Sequence, residues 1–581
     1  MEIQFLGQRY STEELVKKRR SIVKGLEETE KITVSKKMLI LSGSTIGEIA
    51  EQLKMFCLSH GIRLQITQGD YGRYYEDAVY GVPETDSEQY DFVYVHTSSR
   101  NILDWPEPYE DKEAVEGKLN AEKKRIQQVI ASLEQKYPCP IICNNYELLP
   151  YRVMGNREIW DPSGSIYFVN RLNEFFGELA ANNENVYVND INYLSSYYGL
   201  KEWSNPSYWY RYKYAMCMAA IPLVAQNLSA LVVSLCGLNK KCLVMDLDNT
   251  LWGGVVGDDG AEHLIIGNDS PQGEAYMAFQ KYLSDLKKTG IILGVVSKND
   301  EHIALEAFER EEMVLKKDDF ASFKANWDTK SKNLQDMARE LNLGIDSFVF
   351  VDDNPMERDE VSSNLDTVAV PMMSKVENYI NEIEECRLFE GTSHTNEDSI
   401  RTTYYIQNAK REEEQNKFAN YDEYLASLNM EWNFTDFEES AYERIVQLIN
   451  KTNQFNLTTK RMNMNDVIER TSNSDEYLCI QGRMRDRFGD NGLITVLIGK
   501  IIDNSLHIEL WLMSCRVFRR NGEYKLFDYL IQRCKEKKIA KIIGTYIPTP
   551  KNAIVSEFYQ TLGFSLIEKS GEGISTWEYT I

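Results

Sequence analysis

Between Cys242 and Gly254 the chain reads C-L-V-M-D-L-D-N-T-L-W-G-G, an apolar strand that runs straight into two aspartates one residue apart. Residues i and i+2 of an extended segment share a face, so Asp246 and Asp248 leave the strand end pointing the same way, with Thr250 just beyond. One such carboxylate can attack phosphorus while the other manages the proton. Two carboxylates held this close repel, and one pKa rises unless a cation sits between them. Oxygen ligands of this kind imply a hard divalent ion, Mg²⁺ first among them.

Ligands in open α/β sheets gather outside the carboxyl ends of strands, so the partners of this pair are sought at later strand ends. Ser297 follows I-I-L-G-V-V, Lys330 closes N-W-D-T-K ahead of a helical stretch, and Asp352 and Asp353 end F-V-F-V-D-D-N. A hydroxyl and a point charge at strand ends suit phosphoryl oxygens. Asp-x-Asp-x-Thr, then Ser, then Lys, then Asp-Asp resembles the haloacid dehalogenase (HAD) superfamily of phosphotransferases. The resemblance implies that Asp246 is the nucleophile that forms an aspartyl-phosphate and that Asp248 is the general acid/base. It further implies that Thr250, Ser297 and Lys330 hold the phosphoryl group, and that Asp246, Asp352 and Asp353 hold Mg²⁺ with Asp248 against it as a fourth metal carboxylate. The segment after the first motif, G-G-V-V-G-D-D-G, reads as a tight loop, and little sequence separates Thr250 from Ser297. That leaves no room for a large cap domain, so the site is expected to admit a bulky or protein-borne substrate.

A chain of 581 residues is too long for one core and suggests three or four domains. Its 43% hydrophobic and 27% charged residues are ordinary for a soluble protein. A net charge of −24 argues against nucleic acid or an anionic membrane surface as partner, although an acidic carrier protein could still dock on a local basic patch. The ten cysteines are scattered, with only Cys139 and Cys143 close together and no zinc-type partner pair nearby. The first residues lack the basic and apolar segments of a signal peptide, so a cytoplasmic location is expected. Residues Tyr214 to Leu238 carry no charge and are long enough to span a bilayer, but Pro222, Gln226 and Asn227 favour a buried interdomain helix.

Ahead of the catalytic strand, apolar runs end at Leu41, Ile66, Val95, Cys143 and Val188 with helical patterns between them, a parallel-sheet signature. The first run ends in S-G-S-T, which places Ser42 or Ser44 where an SGNH hydrolase would carry its nucleophile. None of the six histidines lies between Asp190 and Arg211, where that family's Asp-x-x-His is expected. Residues 1–235 therefore read as an SGNH-like (flavodoxin-like) parallel sheet without hydrolase chemistry, in which Tyr71, Tyr74 and Tyr75 are either contacts or core aromatics. Residues 236–385 form the capless HAD Rossmann-like domain, and 386–425 a charged, solvated helical connector. Residues 426–581 have the helix and strand order of a GNAT acyltransferase, an α+β domain, closing on F-Y-Q-T-L-G-F. The expected fold class is thus α/β multidomain.

Taken together, D-L-D-N-T-L-W-G-G-V-V-G-D-D-G, N-W-D-T-K-S-K-N-L, V-F-V-D-D-N-P-M-E-R, D-R-F-G-D-N-G-L and S-C-R-V-F-R-R-N-G-E resemble the FkbH-like proteins over essentially the whole chain. The resemblance implies a HAD-IIIC domain between SGNH-like and GNAT-like parts. It implies conversion of an acyl phosphate such as 1,3-bisphosphoglycerate into a glyceryl thioester on the phosphopantetheine arm of an acyl carrier protein, for polyketide or related biosynthesis. Relatives that form an enzyme-bound thioester carry Cys between the first aspartates, where this chain has Leu247; Cys515, flanked by Arg516, is the remaining candidate thiol or carrier-arm contact. The turn that would cradle a CoA pyrophosphate has no glycine before Gly522, and its arginines could instead meet a phosphopantetheine phosphate. A plain phosphatase on a sugar or metabolite phosphate, and a non-catalytic scaffold that docks carrier proteins, remain open beside the transferase reading.

Overall fold

The computed structural model describes residues 6–28, 32, 34–82, 89–392, 407, 411, 414, 418, 420–514, 517–518, 520–549, 551–571 and 573–581. These fall into two compact units, residues 3–235 with 385–392, and residues 236–384 with 393–581.

The first unit is built on five parallel strands, β1 (Val34–Ser42), β2 (Ile62–Gln68), β3 (Phe92–His96), β4 (Ile141–Asn144) and β5 (Val186–Asn189), in the order β2-β1-β3-β4-β5. Their apolar runs are nearly unbroken because helices cover both faces; Met38 to Leu41 are wholly buried. The uncharged stretch that could span a bilayer supplies the helix Ile221–Leu235, which packs on the helix Gly47–Ser59. It was expected between domains, but it is a core helix of this unit: its 18-residue apolar window, Met218–Leu235, has a mean hydropathy of 1.7 and is 61% buried. Residues 386–392, the start of the expected connector, also belong to this unit, and just ahead of them Gln226 Nε2 donates to Glu385 O, the end of the expected 236–385 domain, at 2.8 Å.

Ser42 and Ser44 both lie at the carboxyl end of β1, and both are buried. The parallel register sets His96 beside Ser42, a neighbour that a search between Asp190 and Arg211 does not find. Burial pushes the His96 imidazole down to about 4. Its Nδ1 lies 2.8 Å from Tyr94 Oη and 3.1 Å from Asn144 Nδ2, within a buried network that continues to Asn189. Tyr74 and Tyr75 pack on the Arg125 guanidinium, while Tyr71 is exposed.

The second unit holds two sheets. One is parallel, β6 (Cys242–Met245), β7 (Ile292–Ser297), β8 (Ser322–Ala325) and β9 (Phe348–Val351), in the order β8-β7-β6-β9. Ala369 adds a fifth position beside Val349. Between β6 and β7 the chain forms only a small flap, in which Gly253 pairs with Ile265, and the helix Pro271–Lys288. Between β8 and β9 lies the helix Lys330–Glu340, so neither connection carries a cap domain.

The other sheet contains β10 (Glu431–Asp436), β12 (Tyr477–Asp486), β13 (Gly489–Ile502), β14 (Ser505–Met513), β15 (Lys541–Tyr546), β16 (Ser565–Lys569) and β17 (Ser575–Thr580), in the order β10-β12-β13-β14-β15-β17-β16. All its neighbours are antiparallel except β14 and β15. This is the GNAT-like layout. The parallel pairing stops at Ile508 and Gly544, and the edge that β14 then exposes is taken by β11 (Phe455–Asn456). Leu457 continues that link, donating to Trp511 O and accepting from Ile547 N at 2.8 Å.

Arg411, from the segment read as a solvated connector, is 1% exposed and makes a fork of two 2.7 Å hydrogen bonds to Asp486. A guanidinium that finds a planar partner in the core is more favourable there than on a charged helix face, which overturns the solvated reading at this residue. Arg520 reaches the same carboxylate at 3.5 Å. Asp486→Ala would remove the carboxylate that two buried guanidinium groups face. The expected loss is about 3–5 kcal/mol, read as a lower urea midpoint for the transition of this half.

Candidate active site

The carboxyl ends of β6, β7 and β9 meet at one point because the three strands are parallel neighbours. Lys330 lies at the centre of that point. Thr329 caps the helix that begins at Lys330, and the Lys330 side chain turns back under the sheet edge, 2% exposed. Its Nζ donates to Asp246 Oδ1 at 2.5 Å and to Val296 O at 2.8 Å, and lies 3.2 Å from Asp352 Oδ2. Burial works against the ammonium charge, but Asp246 and Asp352 outweigh it and hold the Lys330 pKa above its ordinary value.

The acids move the other way. Burial, then the charge of Asp246, pushes Asp352 up to about 7, and the same two causes raise Asp353. Asp246, Asp352 and Asp353 each offer one oxygen, all within 4.8 Å of one another. Asp352 Oδ2 is buried and, although close to Lys330, accepts no hydrogen bond. A buried lone pair left over among three carboxylates fits a hard divalent ion, which would supply the positive charge that Lys330 alone does not. Arg358 fixes the Asp-Asp turn from behind, donating to Asp352 O at 2.6 Å and Asp353 O at 2.8 Å.

Asp248 does not join this set, contrary to its expected place as a fourth metal carboxylate. Its Oδ1 accepts from Trp252 Nε1 at 2.9 Å and from Val256 N at 3.0 Å, and its Oδ2 accepts from Asn299 Nδ2 at 2.7 Å. Three donors hold it to the flap side, and burial raises its pKa. A carboxylate so held stays close to Asp246, able to keep or release a proton without being a ligand.

Thr250 is fully buried, and its Oγ1 accepts from Asp353 N at 3.2 Å, which ties the first motif to the last. Ser297 is 2% exposed and linked through Asn299, 3.4 Å away, to Asp248. Asn249 has a left-handed backbone (φ 55°), and its carbonyl accepts from Tyr276 Oη at 3.2 Å and Tyr379 Oη at 3.1 Å. The structure thus gathers Asp246, Asp248, Thr250, Ser297, Lys330, Asp352 and Asp353 at one sheet edge. Trp252, Asn299 and Arg358, which sequence reasoning passed over, hold three of these in place. Each sits within six residues of a motif aspartate or serine, and that proximity was the available signal. Cys515 and Arg516 lie outside the described residues.

The GNAT-like half is more closed than its outline. Tyr559, in the closing F-Y-x-x-x-G-F, is 1% exposed and packs 5.0 Å from the Phe564 ring centroid. A Cβ on Gly544 would come within 2.3 Å of the Tyr559 ring, so the glycine is what lets that ring lie on β15. In the turn after β14, Val517 is wholly buried and Arg520 is turned inward to Asp486, so Arg520 is not placed as the phosphate contact that the arginines of this turn were expected to offer.

Residues 37–233 match the family described as FkbH, N-terminal domain. The N-terminal part of the protein BF1531 from Bacteroides fragilis, which contains a phosphatase domain and was solved with Mg, is 27% identical; the match covers 66% of this chain and 100% of that one, with a TM-score of 0.59. The ribosomal-protein-S18-alanine N-acetyltransferase of Escherichia coli aligns at 11% identity over 26% of this chain and 94% of its own, with a TM-score of 0.21. The PaiA N-acetyltransferase of Thermoplasma acidophilum, solved with coenzyme A, aligns at 14% identity over 26% and 99%, also with a TM-score of 0.21. No curated protein matches the chain.

A divalent cation that neutralises the three carboxylates should stabilise the fold. At about 100 times its Kd the gain is about 2.7 kcal/mol. Mg²⁺ should therefore raise the thermal midpoint of the native chain and leave Asp353→Asn unmoved.

Proposed function

The chain is FkbH-like, and from that premise we propose that it is a Mg²⁺-dependent HAD-type phosphatase that makes a glyceryl or related acyl thioester on an acyl carrier protein. The observation that carries the proposal is the buried Lys330 ammonium, 2.5 Å from Asp246 and 3.2 Å from Asp352, with Asp353 completing an ion-sized group of oxygens. An electron-rich carboxylate beside a fixed positive charge is arranged to attack phosphorus and to stabilise the charge that develops on its oxygens. Asp246, Asp352 and Asp353 would hold Mg²⁺, which, when bound, draws charge from the phosphoryl oxygens.

The chain's own residues account for the remaining steps. Asp246 Oδ bonds to phosphorus as the ester P–O bond breaks, and Asp248 delivers a proton to the leaving oxygen. Water, deprotonated by Asp248, then splits the aspartyl-phosphate and frees phosphate. Lys330 and Ser297 hold the phosphoryl oxygens, and Thr250 holds the turn that carries Asp353.

For a substrate such as 1,3-bisphosphoglycerate two bonds must be told apart. Attack by Asp246 on the acyl phosphate would leave an unactivated carboxylate, from which no thioester forms without further energy. The balanced assignment gives Asp246 the phosphomonoester. The carrier thiolate attacks the acyl carbon, forming the thioester and releasing the second phosphate. Without a cap over the site, a substrate presented on a flexible arm can reach it. The division into residues 1–235, 236–385, 386–425 and 426–581, with the first part a recognition module, belongs to this same reading.

A plain phosphatase acting on a sugar or metabolite phosphate is the second reading. It is favoured by the backbone edge of β14 being already paired with β11, and by Tyr559 and Arg520 being committed to packing.

Asp246→Asn should lower phosphate release by roughly 10³-fold or more with the fold intact, and Asp248→Asn by about 10²–10⁴-fold. Full activity in Asp246→Asn would end the phosphatase assignment. Incubation with 1,3-bisphosphoglycerate and a panel of phosphopantetheine-bearing carriers should yield a carrier heavier by one glyceryl group in the mass spectrum. Phosphate release without that product decides for the second reading.

A further inference from the structure

The turn after β7 holds Ser297, Lys298 and Asn299 in a row. Ser297 O accepts from Asn326 N at 3.1 Å, and Asn299 Nδ2 donates to Asp248 Oδ2 at 2.7 Å, so the backbone of Lys298 is fixed from both sides. Its ammonium donates to Glu357 Oε1 at 2.6 Å. Glu357 stands in the first turn of the helix Pro355–Asn364, which follows β9. Because β6 lies between β7 and β9, this ion pair spans the strand end that carries Asp246.

The pair is incomplete on both sides. An ammonium has three donors, and among the described residues Lys298 finds one acceptor, while Glu357 Oε2 is buried and accepts no hydrogen bond. The Lys298 side chain is 40% exposed and that of Glu357 18%, and an ion pair so open to water adds little to stability. Glu357 keeps favourable surroundings without its partner, because a carboxylate in the first turn of a helix meets the positive end of the helix dipole. Asp300, two residues beyond Lys298, is engaged elsewhere and accepts from Trp327 Nε1 at 3.1 Å. A substrate with a second oxyanion beside its phosphoryl group meets the carboxylates of Asp246, Asp248, Asp352 and Asp353, while Lys330 is already held between two of them. Such a group needs a cation at the rim, and Lys298 has donors to spare there.

We infer that Lys298 is a specificity-determining residue that binds a second oxyanion of the substrate, and that this oxyanion takes the place of Glu357 on the ammonium. The site then selects small phosphomonoesters that carry a further carboxylate or phosphate. This selectivity rests on the phosphatase reading of the carboxylate centre and is independent of thioester formation.

The test is steady-state hydrolysis by the full chain with Mg²⁺ of p-nitrophenyl phosphate and of three small esters: glycerol 3-phosphate, whose remainder is uncharged, 3-phosphoglycerate, with a carboxylate, and propane-1,3-diol bisphosphate, with a second phosphate. For at least one of the two doubly anionic esters kcat/KM should exceed that for glycerol 3-phosphate by roughly tenfold or more, and the better of the two identifies the oxyanion. Lys298→Met should lose this preference through KM, and Lys298→Arg should keep it. Glu357→Gln removes the competing carboxylate and should lower KM for the preferred ester by about twofold to fivefold, the worth of an exposed ion pair. If the pair served only to brace the rim, Lys298→Met and Glu357→Gln would instead slow all the esters alike. Turnover without preference for a second oxyanion, a preference that survives in Lys298→Met, or equal losses in Lys298→Met and Glu357→Gln overturns the role of Lys298 and leaves the phosphatase reading standing. No turnover of any of the four esters ends the phosphatase reading, and the role of Lys298 with it.

Discussion

The site depends on one buried ammonium. Without Lys330, Asp246 and Asp352 would face each other with only repulsion between them, in surroundings where burial already opposes the ionisation of Asp352. With it, Asp246 is held against a positive charge at a strand end, and Asp352 is placed beside the same charge, ready to share a cation. The lysine reaches that position because its helix starts at the end of a short parallel strand. A start one residue later would place the charge on another face of the helix.

The sequence is legible where one residue type at one strand end decides the outcome. Five apolar runs in the first unit became β1 to β5, since strands covered on both faces leave an unbroken apolar signal. The aspartate pair, Ser297, Lys330 and the later Asp-Asp were each visible as polar residues just beyond such a run. Contacts made across the fold were not visible. Arg411 sits in a run of charges, and nothing local says that it pairs with Asp486, 75 residues away. His96 became the neighbour of Ser42 only through strand register. The resemblance sets Asp248 against the metal, but Trp252, Val256 and Asn299 hold its oxygens. The strand β16 escaped notice because all five of its residues are exposed and carry little apolar pattern.

The GNAT-like half keeps an outline while its interior is put to another use. Its closing tyrosine, Arg520 and Gly522 all serve packing: a Cβ on Gly522 would come within 2.3 Å of the Trp432 ring. Shared topology therefore says little here about shared chemistry. The chemistry has to be argued from side chains that face a space.

The short strand β11 has a consequence of its own. Where β14 and β15 diverge, a row of backbone donors and acceptors would otherwise stand open to any extended molecule. Here a piece of the same polypeptide already lies along it, tethered at both ends and so present at an effective concentration in roughly the millimolar range or above. A newcomer that seeks those groups must displace an incumbent that never diffuses away. Casual visitors lose that contest, and only a guest anchored by a second grip elsewhere on the surface can win it.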